Sequence, residues 1–303
     1  MLTGKSNAAL GAGLVFAIAL WGGNNAGTRW LVQSWPPVFT GGTRFLCAGL
    51  LLLATIRWTS WLGTFHPITP DARRRLWWRG GLSLAAYIVT FNGALVFTSA
   101  SHVALYLGAS PVWALLWEGA NGRVERVRQR LLAALLALGG VFVLLWPALH
   151  NSHTSLPGEL LGLGASVLWT NYGRQCRALS SGLGAIEITA HTMWRAGTIL
   201  LPVGAVELAA KGISATPLQL GVQAYCVVAG GVIAFALWTH ALRHWQTSQV
   251  LMFNNLIPLS TMTWAYFCLD EPVTQTFWIA MVLIATGVVL GQTAVRADNT
   301  KNH

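Results

Sequence analysis

Ten stretches of about 20 mostly apolar residues divide this chain, and they constrain its fold more than any other feature. Their limits read 8–28, 36–56, 77–97, 101–121, 130–148, 158–177, 185–206, 219–241, 247–268 and 275–294. Hydrocarbon offers a backbone amide no partner, so segments of this length cross it as helices that satisfy their own hydrogen bonds. The expected fold is an all-α membrane protein with ten transmembrane helices. Composition excludes a soluble pair of domains: 54% of the 303 residues are hydrophobic and 9% charged, and mean hydropathy is +0.54. Short connections containing Pro, Gly, Ser or Asn separate the stretches, with one longer basic linker, Arg57 to Arg75. Within it, Thr69-Pro70-Asp71 reads as a helix start, Thr69 as cap and Pro70 in the first turn.

The chain repeats itself. Ser101 to Glu125 returns as Ser248 to Glu271, with Val103 over Val250, Tyr106 over Phe253 and Pro111 over Pro258 at an offset of 147. Leu20-Trp21 falls on Leu168-Trp169 and Arg29 on Arg177 at 148; Ala94-Leu95 falls on Ala241-Leu242 and Gly140 on Gly287 at 147. Two five-helix repeats, 1–148 and 149–303, are therefore expected. Five is odd, so the second repeat lies upside down relative to the first, and transporter sites lie at such an interface near the midplane. Both copies of the repeated segment carry a proline in mid-run. Each removes one amide donor and frees the carbonyl four residues earlier, at Leu107 and Asn254. Hydrocarbon tolerates that only where protein or water satisfies the group, so the two segments are expected to be broken helices lining a substrate path.

The formal charge of +10 could suggest nucleic acid, but the positions of the basic residues account for it. With the N-terminus inside, fifteen of the 19 Lys and Arg fall in inner segments and two, Arg29 and Lys211, in outer ones, while Arg44 and Arg195 lie within spans. That bias places both termini in the cytoplasm, and no nucleic-acid partner is expected. Lys5, the apolar run after it and Ala17-Ile18-Ala19 have the outline of a secretory signal, but the repeat requires this segment to stay. Cys47, Cys176, Cys226 and Cys268 lie in or beside apolar runs without CxxC or other metal spacing, so neither disulfides nor a metal site is expected. No HExxH, GxSxG, Walker or dinucleotide pattern occurs, so neither enzymatic chemistry nor a cofactor is expected.

Leu20-Trp21-Gly22-Gly23-Asn24 in the first span, Pro36-Pro37 followed by Arg44-Phe45-Leu46 in the second, and Pro258 with Glu271 thirteen residues later resemble the EamA domain. Two such domains make up the ten-helix members of the drug/metabolite transporter superfamily, and the resemblance covers nearly the whole chain. It implies inverted five-helix repeats around a central cavity and export or exchange of a small organic metabolite across the bacterial inner membrane. The solute could be an amino acid, nucleobase, sugar or drug-like molecule. A lipid-linked carrier translocase and a non-transporting sensor or scaffold stand as alternatives. The first copy places Glu125 fourteen residues after Pro111 instead of thirteen, and Ser110 stands where members exporting aromatic amino acids carry an aromatic residue.

Ionisable and polar groups in hydrocarbon are costly and become site candidates for that reason. Glu187, His191 and Arg195 are spaced i, i+4, i+8 along one face of the seventh span, where Glu187 and His191 could pair as a proton-responsive couple or anchor the helix. Arg44 and Arg195, in matching spans, could clamp a carboxylate or phosphate, or cap carbonyls of a broken helix. Glu118, seven residues past Pro111, is a coupling candidate alongside Glu187 and His191, or a partner of Arg123 or Arg126; Glu125 and Glu271 read as helix-end anchors. Asn24, Asn25, Asn92, Asn171, Tyr172, Asn254 and Asn255 are expected to face the bundle interior. Tyr87, Tyr106, Trp113, Trp169 and Trp264 could cover an apolar solute, with Pro111 and Pro258 shaping the path. Gly23 with Gly27 and Gly287 with Gly291 permit close helix approach, within the bundle or between protomers. The expected partners are membrane lipid and a small-molecule solute.

Overall fold

A computed structural model describes residues 4–58, 66–98, 100–120, 127–150, 155–180, 182–260, 263–264 and 275–301. Among them every element is helical. In chain order they are α1 (Gly4–Val32), α2 (Pro37–Trp58), α3 (Pro70–Phe97), α4 (Ala100–Gly108), α5 (Ser110–Ala120), α6 (Val127–His150), α7 (Leu156–Leu179), α8 (Ala185–Lys211), α9 (Pro217–His244), α10 (Thr247–Met252) and α11 (Gln275–Lys301). Six described helices are long and apolar enough to cross a bilayer: α1, α2, α3, α6, α9 and α11. The predicted spans 101–121, 158–177, 185–206 and 247–268 fall short of that measure among the described residues. Two are broken and two carry charge: Glu159, Arg174 and Arg177 in α7, and Glu187, Arg195, Glu207 and Lys211 in α8. Most of the Glu187–Ala196 stretch of α8 is buried by other helices, which lets it be more polar than a lipid-facing helix. Glu125 and Glu271 lie outside the described residues, as do Arg123 and Arg126.

Local chemistry sets the helix ends. Thr69 accepts a hydrogen bond from Ala72 N at 3.3 Å, with Pro70 in the first turn, as the spacing predicts. Thr216 accepts from Gln219 N at 3.3 Å and Gln219 Oε1 accepts from Thr216 N at 3.0 Å, a reciprocal cap on α9. α8 ends at Gly212, whose φ of 65° favours glycine.

The mid-run prolines break their helices. A turn at Ala109 separates α4 from α5 just before Pro111, and α10 passes into a 3-10 turn, Phe253–Leu256, just before Pro258. α3 and α9 each contain a stretch wound with π geometry, Leu76–Gly81 and Cys226–Ala234.

Glycines let pairs of helices meet backbone to backbone, and the meetings are reciprocal. A Cβ on Gly49 of α2 would lie 2.9 Å from Ala190 O and Trp194 Cα of α8, and one on Gly197 of α8 would lie 2.6 Å from Leu46 N of α2. On α6 a Cβ on Gly140 would lie 3.0 Å from Ile284 N of α11, while one on Gly287 would lie 2.7 Å from Ala137 N of α6. Residue 49 meets 194 and 197 meets 46; residue 140 meets 284 and 287 meets 137. In each pair one chain number rises as the other falls, so the helices run antiparallel. Both GxxxG pairs pack within the chain, Gly23 and Gly27 against Tyr225 and Val222, Gly287 and Gly291 against α6 and Met252.

An aromatic cluster fills the centre. The rings of Trp169 and Trp238 stack at 4.6 Å, Trp21 meets Trp169 edge-on at 5.8 Å, and Phe235 stands edge-on to Trp21 at 5.2 Å. Trp21 and Trp169 are the pair that the sequence repeat superposes.

Candidate functional site

Beside this cluster lies a cavity of about 60 Å³. Its wall is built by α1 (Trp21, Asn24, Asn25, Thr28), α2 (Arg44, Phe45), α3 (Tyr87, Ile88, Phe91, Asn92), α7 (Trp169) and α9 (Gly230, Gly231, Phe235). Leu107 and Asn254, the residues whose carbonyls the two prolines free, also line it, with Ile257. Pockets that hold small molecules usually measure some 300 Å³ or more. As it stands the cavity is well below that size.

Arg44 supplies the formal charge among the described wall residues. It is 6% exposed. Its Nη1 donates to Thr28 Oγ1 at 2.6 Å and approaches Asn24 Oδ1 at 3.4 Å, and its guanidinium lies 5.0 Å from the Phe45 ring centre. Thr28 Oγ1 in turn donates to Asn24 O at 2.7 Å. Every one of these partners is neutral. A buried cation held only by dipoles remains short of the stabilisation an anion would give it. Two acceptors share the wall: Asn92 donates its amide to Pro37 O at 2.9 Å, leaving Oδ1 without a partner, and Asn254 Oδ1 is likewise unpaired. Both side chains are at least nine-tenths buried. A guanidinium donor, two vacant amide oxygens and an aromatic floor suit a small solute with an anionic group, an N–H donor and an apolar body.

Of the residues singled out by sequence, Asn24, Asn25, Arg44, Tyr87, Asn92, Trp169 and Asn254 meet at this cavity. The others lie elsewhere. Asn171 donates to Ser83 Oγ at 2.9 Å and Tyr172 shares a hydrogen bond with Thr192 at 2.9 Å, both within the packing. Asn255 is fully buried behind the wall against Gly108. Trp264 is 43% exposed and donates to Ala19 O at 2.9 Å, while Trp113 donates to Ser166 Oγ at 3.2 Å. Pro111 and Pro258 shape the wall from four residues away without lining it.

The Glu187–His191 couple that the i, i+4 spacing allows is not among the hydrogen bonds formed; the helix-end placement of Glu187 is closer to the anchoring alternative. Glu187 accepts from Gly184 N at 2.6 Å and His66 N at 2.8 Å, closing the start of α8. His191 instead lies 3.0 Å from Arg195 Nη1 and accepts from Trp194 Nε1 at 3.1 Å. Arg195 therefore turns toward His191 O and the faces of Trp77 and Trp194, away from the cavity that Arg44 enters. The equivalence of the two arginines does not extend to their surroundings.

Of the other described glutamates, Glu207 and Glu118 also take amides at helix starts, while Glu159 gathers side chains. Glu207 Oε2 accepts from Val38 N at 2.8 Å and Phe39 N at 3.2 Å in the first turn of α2. Glu159, unmarked by sequence, accepts from Thr98 Oγ1 at 2.5 Å and Tyr106 OH at 2.6 Å, with His102 Nδ1 at 2.9 Å, beside the start of α4. This is where Tyr106 is found, apart from the cavity. Glu118 accepts from Ser248 N at 3.3 Å and from Ser248 Oγ, which also receives Arg130 Nη2 at 2.7 Å, at the start of α10. A carboxylate at a helix N-terminus satisfies orphan amides and opposes the positive end of the dipole. Glu118→Ala is therefore expected to destabilise by about 1.5–3 kcal/mol, which scanning fluorimetry would read as a melting temperature lowered by roughly 3–10 °C. An unchanged melting curve would remove the helix-start role.

Comparison with known proteins bears on the whole chain. The model of the EamA-like transporter family matches twice, over residues 9–146 and 156–291. A probable amino-acid metabolite efflux pump of Escherichia coli is 23% identical over 294 residues, covering 93% of this chain and 94% of that one. The inner membrane transporter YedA of Escherichia coli is 26% identical over 297 residues, covering 92% and 89%. A transporter of Archaeoglobus fulgidus is 22% identical over 280 residues, covering 91% and 95%. A crystal structure of a protein 17% identical in sequence shares the fold, with a TM-score of 0.76 over 97% of this chain and 99% of the other.

Proposed function

We propose, from the premise that this chain belongs to the EamA-like transporter family, that it is a secondary transporter exporting or exchanging a small organic metabolite across the bacterial inner membrane. In this reading ten helices form two inverted five-helix halves, 1–148 and 149–303, with both termini in the cytoplasm. The reciprocal antiparallel glycine contacts support it. A twofold axis along the helices would bring equivalent helices together parallel, whereas one lying across them brings them together antiparallel. The match of the family model to two successive stretches is in keeping with the same division. The two halves rock about the cavity, opening it to one side and then the other.

The observation that carries the substrate class is Arg44, a buried cation facing the cavity with neutral partners only. Its complement is a carboxylate, and the vacant oxygens of Asn92 and Asn254 complement an ammonium or amide donor. The reading is therefore a small amino-acid-like solute whose apolar part rests on Trp169, Tyr87 and Trp21. The amino-acid link in the printed name of one relative points the same way.

The test is counterflow in proteoliposomes. Vesicles loaded with an unlabelled neutral amino acid should accumulate the labelled one above protein-free vesicles, and Asn254→Leu should reduce that accumulation several-fold by presenting a methyl group to the donor. Accumulation of sugars or organic cations with no amino acid carried would overturn the substrate class. No flux of any solute would overturn transport.

A further inference from the structure

Outside the central cavity, a groove of about 430 Å³ runs along α3 where it meets α8. Its α3 wall is Pro70, Arg73, Arg74, Trp77, Trp78 and Leu82, spacings that form one continuous helical stripe, and α8 contributes Ile199. Polarity changes along it. The two arginines stand at the capped start of α3, and Leu82 lies beyond the π-wound stretch Leu76–Gly81, further along the axis. Between them come the tryptophans. Trp78 is 69% exposed, whereas Trp77 is held by edge contact with Trp194 at 5.4 Å and by the Arg195 guanidinium at 5.3 Å. The deep wall exists because Gly80 and Gly81 bring α3 against Thr192 and Arg195 of α8; a Cβ on Gly81 would lie 2.8 Å from Arg195 Cβ.

Among the described residues the charges of the groove are uncompensated. Arg75 pairs with Asp71 at 3.0 Å and neither residue lines the groove. The Arg73 and Arg74 side chains form no hydrogen bond or ion pair among the described residues. Two free guanidiniums above an aromatic and aliphatic channel match a phosphodiester joined to an acyl chain. The matching molecule carries net negative charge, because among the described residues no carboxylate lines the groove to receive the ammonium of a zwitterionic headgroup.

We propose that this groove seats one anionic phospholipid, its phosphate between Arg73 and Arg74 and an acyl chain laid over Trp78, Leu82 and Ile199. Placement of these arginines at the cytoplasmic leaflet rests on the topology proposed above; binding itself does not. Basic pockets between membrane helices on that side are suited to anionic headgroups, and Arg grips a phosphate through paired hydrogen bonds.

The experiment uses the full chain purified in neutral detergent, titrated with phosphatidylglycerol, with phosphatidylcholine or with glycerol phosphate, and read by thermal shift and native mass spectrometry. Phosphatidylglycerol should raise the melting temperature and survive as a one-to-one adduct, while the other two do neither. The double variant R73Q/R74Q should weaken that binding at least ten-fold. The double variant R75Q/R79Q removes the same charge beside the groove and should leave it unchanged. Equal loss in both doubles would reduce the effect to general surface charge and overturn the site. Equal stabilisation by phosphatidylcholine would overturn the charge requirement, and stabilisation by glycerol phosphate alone would overturn a lipid in favour of a free anion. None of these readouts depends on flux, so failure here leaves the transport reading standing, and failure of counterflow leaves this one.

Discussion

Replacing Arg44 by glutamine is expected to lower exchange of an amino-acid solute at least ten-fold, with the protein still folded and extractable at normal yield. The side chain lies at the cavity wall and its polar contacts are to the neutral groups of Thr28 and Asn24, so shortening it leaves no buried charge without a partner. What disappears is the cation. A charge-assisted hydrogen bond contributes about 1.5–3 kcal/mol, which corresponds to a ten- to roughly hundred-fold change in affinity. The loss should appear as a raised half-saturation concentration before a lowered maximal rate, because the ground-state complex loses its anchor. Arg44→Lys should recover part of the affinity, since an ammonium keeps the charge without the planar fork. Full activity of the glutamine variant in proteoliposomes would show that the guanidinium is only packing, and the carboxylate reading would fall with it.

Valine at Gly49 or at Gly197 is expected to be among the most damaging single changes in the fold. At both positions the neighbours met are backbone atoms, Ala190 O and Trp194 Cα in one case and Leu46 N and Cα in the other. Side chains can rotate away from an added methyl group; two helix backbones in contact can only move apart. Overpacking of this kind costs about 1–3 kcal/mol and sometimes more. A β-branched residue at a backbone contact belongs at the upper end, a fall in melting temperature of roughly 5–10 °C or failure to yield monodisperse protein. Gly139→Ala and Gly164→Ala provide the control, because a Cβ there meets nothing within 4 Å; alanine should leave stability unchanged or slightly raised. Fluorescence-detected size-exclusion profiles after heating would separate the groups. A Gly49→Val protein as stable as the parent would mean that α2 and α8 do not touch as described.

Much of the architecture was legible because hydrocarbon leaves few options. Runs of apolar residues had to be helices, and Pro111 and Pro258, with no amide to donate, mark where two of them break, although Pro202 stays inside an unbroken α8. The same reasoning placed Leu107 and Asn254 at the cavity by the carbonyls they free. Sequence was less informative wherever contacts cross between helices. The i, i+4 spacing of Glu187 and His191 gave proximity on one helix, but the orphan amides of Gly184 and the approach of His66 compete for that carboxylate, and nothing local reveals a partner 121 residues away. Glu159 escaped notice for the same reason: its partners come from the end of α3 and from α4. Trp21 was within reach, because the repeat superposes it on Trp169, which was itself a candidate. Asn171 and Tyr172 obeyed the rule that polar groups within spans face inward, where they meet the hydroxyls of Ser83 and Thr192.

The glycine contacts between α2 and α8 and between α6 and α11 carry a mechanical implication. Backbones locked together at close range resist axial sliding but leave angular freedom, as a fulcrum does. Displacement would then be smallest beside these seams, and the broken segments sit next to one of them, Gly108 against Leu138 and Val141 of α6 and Met252 against Gly291 of α11, so they would turn with the pivot while helix ends remote from both seams travel further.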